Sequence, residues 1–87
     1  MEHNVVLENT IEAMVKGWPS AILARTEVER FTGGIMNPKY QANLDSLGKG
    51  PERIRIGRKI GYMTRTYADW LKSKAVVVEK REIEPAA

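Results

Sequence analysis

The chain has no cysteine, a single histidine and a single phenylalanine among its 87 residues. Without thiols there is no disulfide staple and no thiolate zinc site, so stability must come from apolar packing, as in a cytoplasmic protein. A lone imidazole cannot assemble a metal shell, and His3 lies beside a terminus expected to fray, so neither a metal nor another cofactor is expected. No serine, lysine or carboxylate stands in a recognisable nucleophile or phosphate-loop motif, and the chain is read as a non-enzyme. Long hydrophobic runs are missing too. The longest apolar stretches fall far short of the roughly 20 residues of a membrane span, and the acidic start Met1-Glu2-His3-Asn4 lacks a signal-peptide n-region. The expectation is a chain without membrane contact that stays in the cytoplasm.

What is present is ordinary globular material, 43% hydrophobic and 29% charged, enough for one core and one compact unit. The net charge of +3 is modest, but its distribution is uneven. Residues 1–35 carry three Lys/Arg and five Asp/Glu, residues 36–65 carry seven and two, and residues 66–87 carry four and four. The excess positive charge therefore falls in the middle third, as expected where one face meets a polyanion.

Leu7, Ile11, Met14 and Trp18 recur at helical spacing with Glu8 and Glu12 off the stripe, which predicts a helix from about Asn4 to Lys16. Its stripe packs either on the chain's own core or on a partner helix. Thr26-Glu27-Val28-Glu29 has the form of a capping box and predicts a second helix, stopped at Phe31 or Thr32 by Gly33-Gly34. Asn37 as N-cap and Pro38 at the first helical position open a third helix that closes at Gly48. Two short helices about a glycine turn form a helix-turn-helix pattern. On a helical wheel Tyr40, Leu44 and Leu47 share the inward face, Lys39, Ala42 and Ser46 point away, and Asn43 lies at the border. Small and polar residues suit an approach to base edges, with Asn43 and Lys39 the candidate base readers or else plain solvent-facing residues. Asp45, near the outer side, would repel phosphate and should face a donor or solvent.

Arg53-Ile54-Arg55-Ile56 alternates strictly, and Ile60 and Tyr62 repeat the alternation, predicting a hairpin over residues 53–62. A three-residue loop from Gly57 to Lys59 would pair Ile56 with Ile60 and Ile54 with Tyr62, all facing the core. A two-residue turn at Gly57-Arg58 would instead pair Arg55 with Ile60, and the first register is preferred. Arg53 and Arg55 then point outward and Arg58 and Lys59 rise to the tip, a basic wing suited to phosphates or a minor groove. Thr64 or Thr66 caps a fourth helix whose Tyr67, Trp70, Leu71 and Lys74 share a side, with Trp70 expected over Ile54, Ile56 and Ile60. Ala75 to Val78 extends that helix, pairs as a strand with residues 21–24 or exchanges with a second chain, and residues 79–87 form a charged tail.

The segments RTEVERFTGG, PKYQANLDSLGKGP, IRIGRKIGY and WLKSK, in that order over residues 21–74, resemble the small helix-turn-helix family of phage excisionases and AlpA-like regulators. The resemblance implies a MerR-type winged helix, mostly α with a small β-hairpin. The chain would then divide into an N-terminal helical extension (1–19), a winged helix-turn-helix domain (20–75) and a tail (76–87). In that family the second helix of the motif and the wing contact duplex DNA. By matching position this implicates Lys39, Asn43, Ser46, Arg55, Arg58 and Lys59, and Lys49 and Arg53 join them from the adjoining turn and strand. The implied function is that of a transcriptional regulator or an excisionase-type factor in DNA recombination. Its partners would be double-stranded DNA, a recombinase or integrase, and further copies of the chain in a homo-oligomer. The competing function is a protein-interaction module that docks a recombinase, a toxin or itself. One departure stands out: Gln41 occupies a position that is often aliphatic in such sequences, so either Tyr40 takes over the packing or the helix sits at a shifted angle.

Overall fold

The computed structural model describes the backbone of residues 2–78 and the side chains of residues 5–78, so the expected tail at 79–87 lies outside the described residues. The chain runs α1 (Glu2–Gly17), β1 (Ile22–Ala24), a 3-10 turn (Arg25–Glu27), α2 (Val28–Phe31), α3 (Pro38–Ser46), β2 (Ile54–Ile56), β3 (Lys59–Met63) and α4 (Thr64–Lys74). Among the described residues this makes a mixed α/β unit of four helices and one antiparallel sheet in the order β1-β3-β2. The hairpin is thus not a separate two-stranded element, because the run Ile22–Ala24 pairs with β3 along its other edge. No described helix is long and apolar enough to cross a membrane.

α1 lies along α4 and inserts Ile11 into the core, clasped by Arg65 on Glu12 at 2.7 Å and Lys72 on Glu8 at 3.2 Å. The core itself is formed by Ile11, Leu23, Val28, Phe31, Met36, Tyr62, Tyr67 and Ala68. Its aromatic members meet edge to face or tilted, with Phe31 5.9 Å and Tyr62 5.0 Å from the Tyr67 ring, within the range favoured by the ring quadrupole.

The capping box expected at Thr26 does not form. Residues 25–27 coil as a 3-10 turn, and α2 begins at Val28 with no side-chain cap bond. The end of α2 follows its glycines: Gly33 and Gly34 take φ of +66° and +93°, and their N–H groups donate to the carbonyls of Arg30 and Glu29. α3 opens as its sequence implies, with Asn37 Oδ1 accepting from the Tyr40 N–H at 2.8 Å and Pro38 in the first turn.

The hairpin takes the less favoured of the two expected registers. Ile54 pairs with Gly61, Arg55 with Ile60 and Ile56 with Lys59, across a two-residue turn at Gly57-Arg58. Gly57 at φ +64° supplies the left-handed conformation that a Gly-X turn needs at its first position. Cross-strand partners share a face, so Ile60, Tyr62 and Leu23 face the core while Ile54, Ile56, Lys59 and Met63 face away. Ile56 is left 68% exposed. Trp70 consequently does not cover Ile54 and Ile56: it packs on Tyr67 at 5.4 Å, and its indole N–H donates to the Lys49 carbonyl at 3.0 Å. α4 starts at Thr64 without a side-chain cap, the Thr64 hydroxyl donating instead to the Ser20 carbonyl. Residues Ala75–Val78 neither prolong α4 nor join the sheet.

Candidate nucleic-acid interface

The orientation of α3 determines what it can offer a partner. Gln41 and Asp45, four residues apart and so on one face, are buried, whereas Tyr40 and Leu47, expected inward, are 49% and 60% exposed. Leu44 alone of the expected trio packs against the core, and only partly. The helix is therefore rotated from the apolar-inward orientation. Its buried polar face is tolerated because every group on it is satisfied: no buried side-chain nitrogen or oxygen among the described residues lacks a partner.

Asp45 is the hub of that face. One carboxylate oxygen accepts from Arg25 at 2.6 Å and from the Tyr62 hydroxyl at 2.5 Å, and the other accepts from the Gln41 amide at 3.2 Å. Gln41 in turn accepts from the Tyr67 hydroxyl at 2.6 Å, and Arg25 also donates to the Tyr62 oxygen at 3.2 Å. Burial, followed by the hydrogen bond to Asp45, pushes the Tyr62 phenol up to about 12, and burial raises Tyr67 further. Burial opposes the charge on Arg25, but the hydrogen bonds to Tyr62 and Asp45 outweigh it and hold the guanidinium above its ordinary value.

The cluster also positions the loop and strand that follow α3. The Asp45 carbonyl accepts from Arg53 at 3.2 Å, tying the approach to β2 onto the end of α3. Gly48 turns the chain at φ +75°. Gly50 must lack a side chain for a different reason: a Cβ there would overlap the Asp45 carboxylate, which its hydrogen bonds hold in place.

With Gln41 and Asp45 inward, Lys39, Asn43 and Ser46 are left on the outer side of α3, where Asn43 and Lys39 line a shallow hollow with Asn37, Tyr40 and Ala42. The Ser46 hydroxyl donates to the Asn43 carbonyl at 2.9 Å, which leaves its oxygen lone pairs as the outward-facing function. Lys49, Arg53, Arg55, Arg58 and Lys59 reach the surface as well, but the hairpin register sorts them differently from the expectation. Arg55 shares the sheet face of Ile60 and Tyr62, the face that meets α3 through Asp45, so it does not point away from the core side. Lys59 belongs to the first pair of β3, not the tip, and lies on the opposite face with Ile54 and Ile56. Arg58 alone of the hairpin's cations occupies its turn.

Ion pairing divides the surface. On the α1–α4 side Glu8 and Glu12 pair with Lys72 and Arg65, and between the 3-10 turn and α2 Glu27 lies 3.5 Å from Arg30. Among the described residues, Lys39, Lys49, Arg53, Arg55, Arg58 and Lys59 have no carboxylate within ion-pair distance. Nothing in the sequence groups the positioning residues Arg25, Gln41, Asp45 and Tyr62. The sole local signal is the Gly48-Lys49-Gly50 spacing, which marks a turn but not what the second glycine makes room for. Comparison of the chain with protein-family models, curated proteins and solved structures gave no match in any of the three.

Proposed function

We propose that this chain is a cytoplasmic DNA-binding protein of the winged helix-turn-helix type. In this reading α2 and α3 form the helix-turn-helix, α3 enters the major groove, and the β2–β3 hairpin is the wing. The observation that carries it is the distribution of ion pairs: Glu8 and Glu12 of α1 partner Lys72 and Arg65 of α4, and although Lys16 and Lys74 are unpaired there, all six cations of α3, its following turn and the hairpin lack a carboxylate partner among the described residues. Unpaired cations beside a helix with small polar outward residues suit a phosphate backbone with base edges between its strands. Lys49, Arg53, Arg55 and Arg58 serve phosphates, Lys39, Asn43 and Ser46 face the bases, and Lys59 touches the backbone from the far side of the wing. Such a protein acts as a transcriptional regulator or as an excisionase-type recombination factor, two roles that share this mode of binding.

The test is fluorescence anisotropy of labelled duplexes over a salt series. Affinity should fall linearly with salt on logarithmic axes, and Arg55→Ala with Arg58→Ala should flatten the slope by about 0.9 for each phosphate no longer neutralised. Binding insensitive to salt would reject the reading, and an unchanged slope in the double variant would reject the wing.

A further inference from the structure

A groove of about 630 Å³ opens between α1, the α2–α3 connection, α3 and α4. Its volume lies within the roughly 300–1,000 Å³ typical of small-molecule sites, which are likewise mostly apolar with a few polar groups. Leu7, Met14, Met36, Leu44, Trp70 and Leu71 are among the apolar residues of the wall. Most polar atoms of the lining are already committed within the protein. The Thr10 hydroxyl donates to the Val6 carbonyl at 3.0 Å, the Thr32 hydroxyl donates to Val28 and accepts from the Met36 N–H, and the Trp70 indole donates to Lys49.

Among the described residues the groups left open are the ammoniums of Lys49 and Lys74 and the phenol of Tyr40, and none of these residues brings a carboxylate to the groove. Both lysines flank Trp70: the indole N–H is bound to the Lys49 carbonyl, and Lys74 follows Trp70 by one turn of α4. Neither lysine has a carboxylate partner among the described residues, whereas Lys72 on the same helix is paired with Glu8. The groove therefore has an apolar trough and a cationic end. Its helical walls present no strand edge to an extended peptide.

We propose that this groove binds a hydrophobic carboxylate, its apolar body lying between α1 and Leu44 of α3 and its carboxylate meeting Lys49 and Lys74. The assignment rests on the groove and shares only Lys49 with the DNA-binding reading. An uncharged molecule of the same length would gain the trough but not the cationic end. Two exposed ammonium–carboxylate pairs of ordinary surface strength make the acid bind roughly tenfold tighter than its alcohol.

The experiment titrates the intact chain with dodecanoate below its micelle concentration and, in parallel, with dodecan-1-ol, following backbone amide shifts by NMR. Saturable shifts centred on Thr10, Leu44 and Leu71 are expected, with dodecanoate the tighter ligand. Lys49→Gln combined with Lys74→Gln should abolish that preference while leaving the melting temperature unchanged, because both side chains are exposed. Thr10→Trp, which fills the trough from the surface of α1, should weaken both ligands. Equal affinities in the parent, shifts spread over the sheet, or undiminished binding in Thr10→Trp would overturn the proposal. It would equally be overturned by sedimentation of the parent as a dimer that Thr10→Trp splits, since the groove would then belong to a second copy of the chain.

Discussion

Asn43 stands one turn after Lys39 on α3, exposed on its outer side among the residues that line the hollow, with its backbone carbonyl accepting from Ser46. A carboxamide in that position can pair bidentately with N6 and N7 of adenine, which a lysine or serine cannot imitate. Asn43→Ala should therefore cost on the order of 1 to 3 kcal/mol on the preferred duplex and little on random DNA. Its melting temperature should equal the parent's, because the side chain caps nothing and is not buried. Competition binding against randomised duplexes, run beside a thermal melt, measures both. Equal weakening on every duplex would move base reading to Lys39 or Ser46. Gln41, polar where an aliphatic residue is expected, has a different part: its amide donates to Asp45, its carbonyl accepts from Tyr67, and it belongs to the interior. Of the two resolutions offered by the sequence the second holds: Tyr40 does not replace it in the core, and the helix is turned from the apolar-inward orientation so that Gln41 itself is buried.

The elements around α3 are held to one another through Asp45, which touches the 3-10 turn through Arg25, β3 through Tyr62 and the approach to β2 through Arg53. Asp45→Ala leaves the partly buried Arg25 and the buried Tyr62 hydroxyl without their acceptor, and should destabilise the fold by about 3 to 5 kcal/mol. Gly50→Ala, which thrusts a methyl against the same carboxylate, should also be destabilising although residue 50 is in a loop. Denaturant melts of both variants check the pair, and a Gly50→Ala protein as stable as the parent would refute the close approach. Much of the architecture is legible in the sequence: the α1 stripe, the Asn37-Pro38 start of α3, the glycine stops and the existence of the hairpin all depend on neighbours close along the chain. The rotation of α3 is not legible, because Asp45 reads as lying near the outer side and Gln41 as a polar residue at a packing position until Arg25, Tyr62 and Tyr67 are brought to them from 17 to 26 residues away. The hairpin register fails for a related reason. Placing every isoleucine inward maximises local burial, but the two-residue turn sends Ile54 and Ile56 outward and puts Arg55 on the face of Tyr62, where the sheet meets α3. The Gly-X form of Gly57-Arg58 is the signal that favours the observed turn.

At the scale of the whole molecule the interior is small and rich in aromatic rings, and two of its fully buried large side chains are the phenols Tyr62 and Tyr67. This makes stability sensitive to alkali in a way an aliphatic core would not be. Burial first, and the Asp45 carboxylate next, raise Tyr62 to about 12, while an unfolded tyrosine titrates at about 10. A group whose folded value lies above its unfolded value stabilises the fold fully below the unfolded value, and that contribution disappears as the pH climbs to the folded one. The stability supplied by the protonated Tyr62 phenol is therefore complete below about pH 10 and lost between about pH 10 and 12, an effect of roughly 2 to 3 kcal/mol. Tyr67 shifts in the same direction and adds to it. Denaturant midpoints measured across that interval should fall in the parent. Tyr62→Phe should begin less stable, because Asp45 loses a donor, and should then decline less steeply, because one of the two buried phenols no longer titrates. If parent and variant lose stability in parallel, ionisation of Tyr62 is not coupled to unfolding, and the alkaline loss must come from groups at the surface.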